Sequence, residues 1–221
     1  MMRSNLMDMY NEQEIQSNFD KQVLLTNLLE SSVVHPQVKK IKRNQELIHE
    51  GESTDYVYYM LSGIASVKKE ANTFGFIGAG QFVGFDTLFL NEPSTYTIRT
   101  REMCEVYVFD RLEVMEYLFS LQEGWIFFYL LEKEESQQLL KYQNFMRLKG
   151  VARLDAVLQD LAHTFGEEED GVIVLPKSFS KQCIADYANF SLNTITSLIK
   201  ELRREGFLAP TTKDTYFCLA K

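Results

Sequence analysis

The sequence predicts an α+β protein: an N-terminal β-roll of the double-stranded jelly-roll type, then one long helix, then a C-terminal helix pair closed by a β-hairpin. Three observations predict it. Between Val38 and Asp110, short strand-like runs are separated by Gly and other turn residues at roughly 8–12-residue spacing, the rhythm of a sandwich or roll. Residues 125–148 contain neither Gly nor Pro. Residues 180–202 hold two short helical patterns, each opened by a serine.

The elements follow in order. Residues 56–61 are aromatic and apolar and end at Ser62-Gly63; residues 64–69 follow at once. Phe74, Phe76 and Ile77 sit among Gly75, Gly78, Gly80 and Gly84, which predicts short strands and tight turns. Residues 95–100 and 104–109 complete the strands. Asp110 reads as the N-cap of a helix through Leu112, Val114, Met115, Leu118 and Phe119. The helix of residues 125–148 would span roughly 35 Å, with apolar residues at both ends and a polar middle at residues 132–138. Gly150 is expected to be a hinge. Leu154, Val157, Leu158, Leu161 and Phe165 then lie at helical spacing, stopped by Gly166. Residues 167–170 are read as an acidic loop leading to a strand at 172–175.

The helix pair is the segment that speaks to function. Ser180 caps a helix over 181–187 and Ser191 caps a second over 192–204. Ala185 supplies the small residue where the two helices touch, and Asn189 stands where the turn needs a left-handed backbone. Ile184, Ile195 and Leu198 are expected inward, and Gly206 stops the second helix. Residues 207–209 and 216–219 read as two strands around the polar turn 211–214. Together this is a winged helix–turn–helix. The outer face of its second helix carries Asn193, Thr196, Ser197, Lys200, Arg203 and Arg204, donors and cations suited to base edges and phosphates of double-stranded DNA.

Composition narrows the rest. The 221 residues carry 23 Lys and Arg against 31 Asp and Glu, a net charge of -8, so a globally basic nucleic-acid coat is excluded while a local patch is not. Lys200, Arg203 and Arg204 against Glu201 make residues 192–204 locally +2. Three Cys, far apart, argue against a disulfide scaffold; Cys104 and Cys183 read as packing residues. The three His share no metal-ligand spacing, and no nucleophile elbow or dinucleotide loop is present, so neither a cofactor nor an enzyme is expected. No apolar run reaches the length of a membrane span, and residues 1–20 lack the pattern of a secretion signal, so a cytoplasmic location is expected.

Several of these segments resemble the Crp/Fnr transcription regulators. Residues 51–63 are similar to the opening of that family's cyclic-nucleotide-type β-roll, and residues 80–84 to the approach to its phosphate-binding cassette. Ala152-Arg153-Leu154 with Leu158, Leu161 and Ala162 is similar to the first helix of its DNA domain. Residues 180–185 and 190–197 are similar to its helix–turn–helix. The resemblance covers roughly residues 30–220. It implies a β-roll sensor over 1–124, a long dimerisation helix over 125–149 and a winged helix–turn–helix over 150–221. It further implies a homodimer, an operator as partner, and RNA polymerase as a second partner. Implied DNA-contacting residues are Ser180, Lys181, Gln182, Ser191, Leu192, Asn193, Thr194, Thr196, Ser197 and Lys200. Implied dimer contacts are Ile126, Leu130, Leu139, Leu140 and Phe145. An effector pocket falls at Gly84, Phe85, Asp86, Thr87, Ser94 and Thr95.

The departures from the family shape the expectation. Phe85 occupies the position of the glutamate that holds the ribose, and Pro93 the position of the arginine that holds the cyclic phosphate, so cyclic AMP is not the expected effector. Residues 1–50 contain no Cys, which removes the iron–sulfur branch. Where the family's recognition helix often carries Glu and, four residues on, Arg, this chain has Asn193 and Ser197. The expected function is a homodimeric, sequence-specific DNA-binding regulator sensing an unidentified small molecule or none. The competing expectation is a non-catalytic signalling or scaffold module that binds a protein through its β-roll.

Overall fold

The computed structural model describes residues 11–87, 91–209 and 218–220. They form two compact units, one of residues up to 67 with 76–137 and one of residues 68–75 with 138 onward.

In the first unit, α1 (Glu12–Phe19) and α2 (Lys21–Glu30) open the chain. Their caps are local: Asn11 accepts from the Glu14 amide at 2.9 Å and Asp20 from the Val23 amide at 2.8 Å. The strands are β1 (Gln37–Ile41), β2 (Glu46–Ile48), β3 (Tyr56–Ser62), β4 (Ala65–Lys69), β5 (Asn72–Ile77), β6 (Phe82–Val83), β7 (Thr97–Thr100) and β8 (Cys104–Asp110). They make two sheets, ordered β1-β8-β3-β6 and β2-β7-β4-β5. β3 and β8 run antiparallel in register from Tyr56 opposite Asp110 to Met60 opposite Val106.

β3 buries Val57, Tyr58, Tyr59 and Met60 in succession. A strand buried on one face alternates; a run like this is covered on both. One cover is a core of Leu24, Leu25 and Leu28 from α2, Val114 and Leu118 from α3 (Arg111–Ser120), and Phe127, packed on Val57, Tyr59 and Phe109. Asp110 caps α3 as expected, accepting from the amides of Leu112 at 2.9 Å and Glu113 at 3.3 Å. Next comes α4 (Trp125–Arg147).

The second unit holds residues 68–75 of the β4–β5 pair, α4 from residue 138, α5 (Gly150–Phe165), β9 (Glu167–Glu169), β10 (Val172–Val174), α6 (Lys181–Tyr187), α7 (Leu192–Arg204) and β11 (Cys218–Ala220). One expectation changes here. Residues 167–169 are not a loop but β9, paired antiparallel with β10, Glu169 opposite Val172. The two residues between them, Asp170 at φ +48° and Gly171 at φ +80°, supply the left-handed backbone that a two-residue hairpin needs. Gly166 ends α5 with an extended backbone at φ −77°; it is glycine because a Cβ would lie 2.4 Å from both the Ala162 carbonyl oxygen and Ile173. Gly150 is the first residue of α5. The expected turn at 211–214 and Tyr216 lie outside the described residues. β11 pairs with β10, giving the sheet order β11-β10-β9.

Candidate nucleic-acid interface and effector cassette

The α6–α7 pair is built by short-range chemistry. Ser180 Oγ accepts from the Cys183 amide at 3.3 Å and Ser191 Oγ from the Thr194 amide at 3.1 Å. Asn189 sits at φ +53°, the left-handed conformation its side chain tolerates. Ile184, Ala185, Ile195, Ile199 and Leu202 form the inner seam. Leu198, expected inward, is half-buried; Ile199 takes its place. Arg153 braces the turn: its guanidinium donates to the Ala188 carbonyl at 3.2 Å and stacks 5.0 Å from the centroid of the Phe190 ring.

The outer face divides into engaged and unengaged side chains. Ser191 and Thr194 hydroxyls lie 2.8 Å apart, Thr196 donates to the Leu192 carbonyl at 2.6 Å, and Ser197 to the Asn193 carbonyl at 3.3 Å. Gln182 donates to Asp186 at 2.6 Å. The side chains of Asn193 and Lys200 are exposed and make no hydrogen bond or ion pair to other described residues. Lys181 is half-buried and Leu192 is 46% exposed.

On α4, Leu139 and Leu140 are exposed, as are Trp125 and Tyr129. Ile126 and Phe145 are 1% and 9% exposed within the chain itself, so they are core residues and not free contacts; Leu130 is half-buried.

The cassette at 84–96 is packed from inside. Gly84, at φ +97°, lets the backbone pass close to β3, where a Cβ would meet the Tyr56 carbonyl oxygen at 2.9 Å. Phe85 lies edge-on between Phe82 and Phe128, each centroid 5.7 Å away, so the position carries aromatic packing and no polar group. Arg111, which sequence reasoning did not single out, is 1% exposed. It donates to the carbonyls of Thr87 at 2.6 Å and Gly84 at 2.8 Å, and to the Thr87 hydroxyl. The only sequence signal was its place directly after the Asp110 cap, which says nothing of the contact. Burial pushes its guanidinium below the ordinary arginine value, opposed by Asp86 and more weakly by Asp55, Glu92 and Tyr96.

Asp86 Oδ2 accepts from Ser94 Oγ at 2.7 Å and from the Thr95 amide at 3.3 Å. Ser94 is itself fixed, its amide donating to the Glu52 carbonyl at 3.0 Å and its carbonyl accepting from Gly51 at 2.9 Å. On α4, Glu135 is pushed up to about 7 by burial and then by the charges of Glu132 and Asp86. Elsewhere, burial and Glu102 push the Cys104 thiol up to about 11, which leaves it unreactive at neutral pH. No group of His, Cys, Asp and Glu among the described residues is arranged to hold a metal ion, and no helix among them is long and apolar enough to cross a membrane.

Residues 38–120 match the family model of the cyclic nucleotide-binding domain. No curated protein matches the sequence. Among solved structures, the chain is similar to FixK2 from Bradyrhizobium japonicum, with a TM-score of 0.72 at 16% identity over 85% of this chain and 93% of that one. A cyclic nucleotide-binding domain containing protein from Listeria monocytogenes aligns with a TM-score of 0.71 at 21% identity, over 91% of this chain and 98% of that one. A transcriptional regulator of the CRP/FNR family from Thermus thermophilus aligns with a TM-score of 0.64 at 20% identity, over 84% and 94%. The chain therefore has the fold of the Crp/Fnr transcription regulators, with a cyclic nucleotide-binding domain at residues 38–120.

Proposed function

We propose that this protein is a homodimeric, non-catalytic transcription regulator that reads double-stranded DNA through α7 and does not respond to cyclic AMP. One observation carries the reading: α7 buries Ile195, Ile199 and Leu202 while presenting unengaged Asn193 and Lys200 on its exposed face. Asn193 has the donor–acceptor pair that matches adenine in the major groove, and Lys200 and Lys181 serve phosphates. Ser197 cannot make the bidentate guanine contact of an arginine, so the operator departs from the usual family core. Two-fold symmetry would place half-sites about one helical turn apart.

Selection of bound sequences from a random pool tests this. A symmetric site is expected; the usual family core, or no enrichment at all, would overturn it. Dimerisation through the exposed Leu139 and Leu140 of α4 predicts that replacing both with Glu yields monomers in light scattering. An unchanged dimer would place the interface elsewhere. Phe85 and Pro93 stand where a carboxylate and a guanidinium would hold cyclic AMP. Calorimetry with millimolar cyclic AMP is therefore expected to show no heat of binding.

A further inference from the structure

The connection between α4 and α5 is tied more firmly than a glycine turn requires. Gly150, at φ +53°, is the expected hinge there. Arg153, half-buried in the first turn of α5, reaches back across it. Its Nε donates to the Leu148 carbonyl at 2.9 Å, and Nη2 donates to the Met146 carbonyl at 3.2 Å. Its Nη1 donates to the Ala188 carbonyl at 3.2 Å, with the Phe190 ring against the guanidinium. Carbonyls at helix ends lack a partner within their own helix. Met146 lies in the last turn of α4, and Ala188 is the C-cap of α6. One planar fork thus joins the exit of α4 to the turn that leads into α7. Two more contacts repeat the tie. Lys141 of α4 pairs with Asp160 of α5, and the rings of Tyr142 and Tyr187 lie 5.5 Å apart, joining α4 to α6. All these residues, with Leu139 and Leu140, belong to the second unit.

We propose that Arg153 is a positioning residue for DNA reading: it locks the α6–α7 pair to the end of α4 across Gly150 and so fixes how far apart a dimer holds its two α7 helices. This rests on the reading of α7 as the DNA-reading helix and of Leu139 and Leu140 as the dimer contact. Arg153 then sets a specificity that no base contact provides. The bases within a half-site are read by α7 itself, whereas the spacing between half-sites is read by the rigidity of its mounting. One base pair added between half-sites moves them apart by about 3.4 Å and turns one against the other by about 35°. A rigid mounting rejects that change and a loosened one accommodates it. Lysine is no substitute, because a compact ammonium lacks the flat fork that meets three carbonyls at once.

The experiment uses the full chain and the operator selected from a random pool, remade with spacers one and two base pairs longer and shorter. Gel shifts give the affinity for each. The native protein should lose at least about tenfold on a two-base-pair change, since only one half-site can then be engaged well. Arg153→Ala should bind the preferred spacing more weakly and discriminate between spacings by less than about threefold. Its preference for bases within the half-site should be unchanged, which separates loss of mounting from general damage to α7. Arg153→Lys keeps the charge and should behave like Arg153→Ala; if the alanine variant does not fold, the lysine variant carries the test. A variant that keeps the native spacing preference, or a lysine variant equal to the native protein, overturns the proposal and leaves the DNA reading intact. A native protein that selects no symmetric operator defeats the DNA reading and the proposal together.

Discussion

The outer face of α7 and the cassette both gather polar side chains, and they direct them oppositely. On α7, the side chains of Asn193 and Lys200 face water with no partner among the described residues. In the cassette, Arg111 donates to Thr87 and the Gly84 carbonyl, and Ser94 and the Thr95 amide donate to Asp86. The difference teaches where to look for ligands. Polar groups left unpaired on a rigid, capped helix are available to a partner, whereas groups already paired in a core hold the fold together.

The sharpest way to break that contrast is Arg111→Ala. Removing the buried guanidinium leaves the Thr87 and Gly84 oxygens without their donor and opens a void, so unfolding free energy should fall by about 2–5 kcal/mol. Denaturant melts check it, and a loss under about 1 kcal/mol would mean the cassette is not internally held. At α7 the opposite should hold. Asn193→Ala should weaken the selected operator by about 1–3 kcal/mol and change stability by no more than about 0.5 kcal/mol. Lys200→Ala should weaken all sequences alike and lower the salt slope by about one. Gel shifts across a salt series, paired with melts, separate the two; an Asn193→Ala variant that loses stability instead of affinity would erase the contrast.

The smallest effect concerns Glu135. Its folded value of about 7 lies above the ordinary 4.5, so the neutral form is the one the fold favours. Its contribution is therefore fully present below about pH 4.5 and declines as pH rises through about 7. Glu135→Gln should flatten the melting profile between about pH 5 and about pH 8. A variant profile parallel to the native one would place the titrating group elsewhere.

What the sequence made legible follows the same division. The caps at Asp110, Ser180 and Ser191 and the left-handed Asn189 were readable because each is fixed by residues no more than a few positions away. The exposed face of α7 follows from that local geometry. The cassette does not: Arg111 reaches partners 24 and 27 positions back, and no local pattern announces such a pairing. The core role of Leu24, Leu25 and Leu28 was missed for a related reason, since their helix is short and packs on strands far along the chain. β9 is a different case. Asp170-Gly171 is a strong hairpin signal, and its turn chemistry outweighs the three consecutive glutamates, whose charge alone reads as a solvated loop.

The small β11-β10-β9 sheet has a consequence for how the chain is made. β9 and β10 are neighbours in sequence and close as a local hairpin on the microsecond scale. β11 pairs Ala220 with Val172, so it can join only after both helices of the α6–α7 pair have left the ribosome. Until then β10 has one open edge, flanked on the other side by a strand whose three glutamates discourage a foreign strand from adding there. A chain halted before residue 218 would carry that open edge permanently, and self-association through it is the failure to expect from such a truncation.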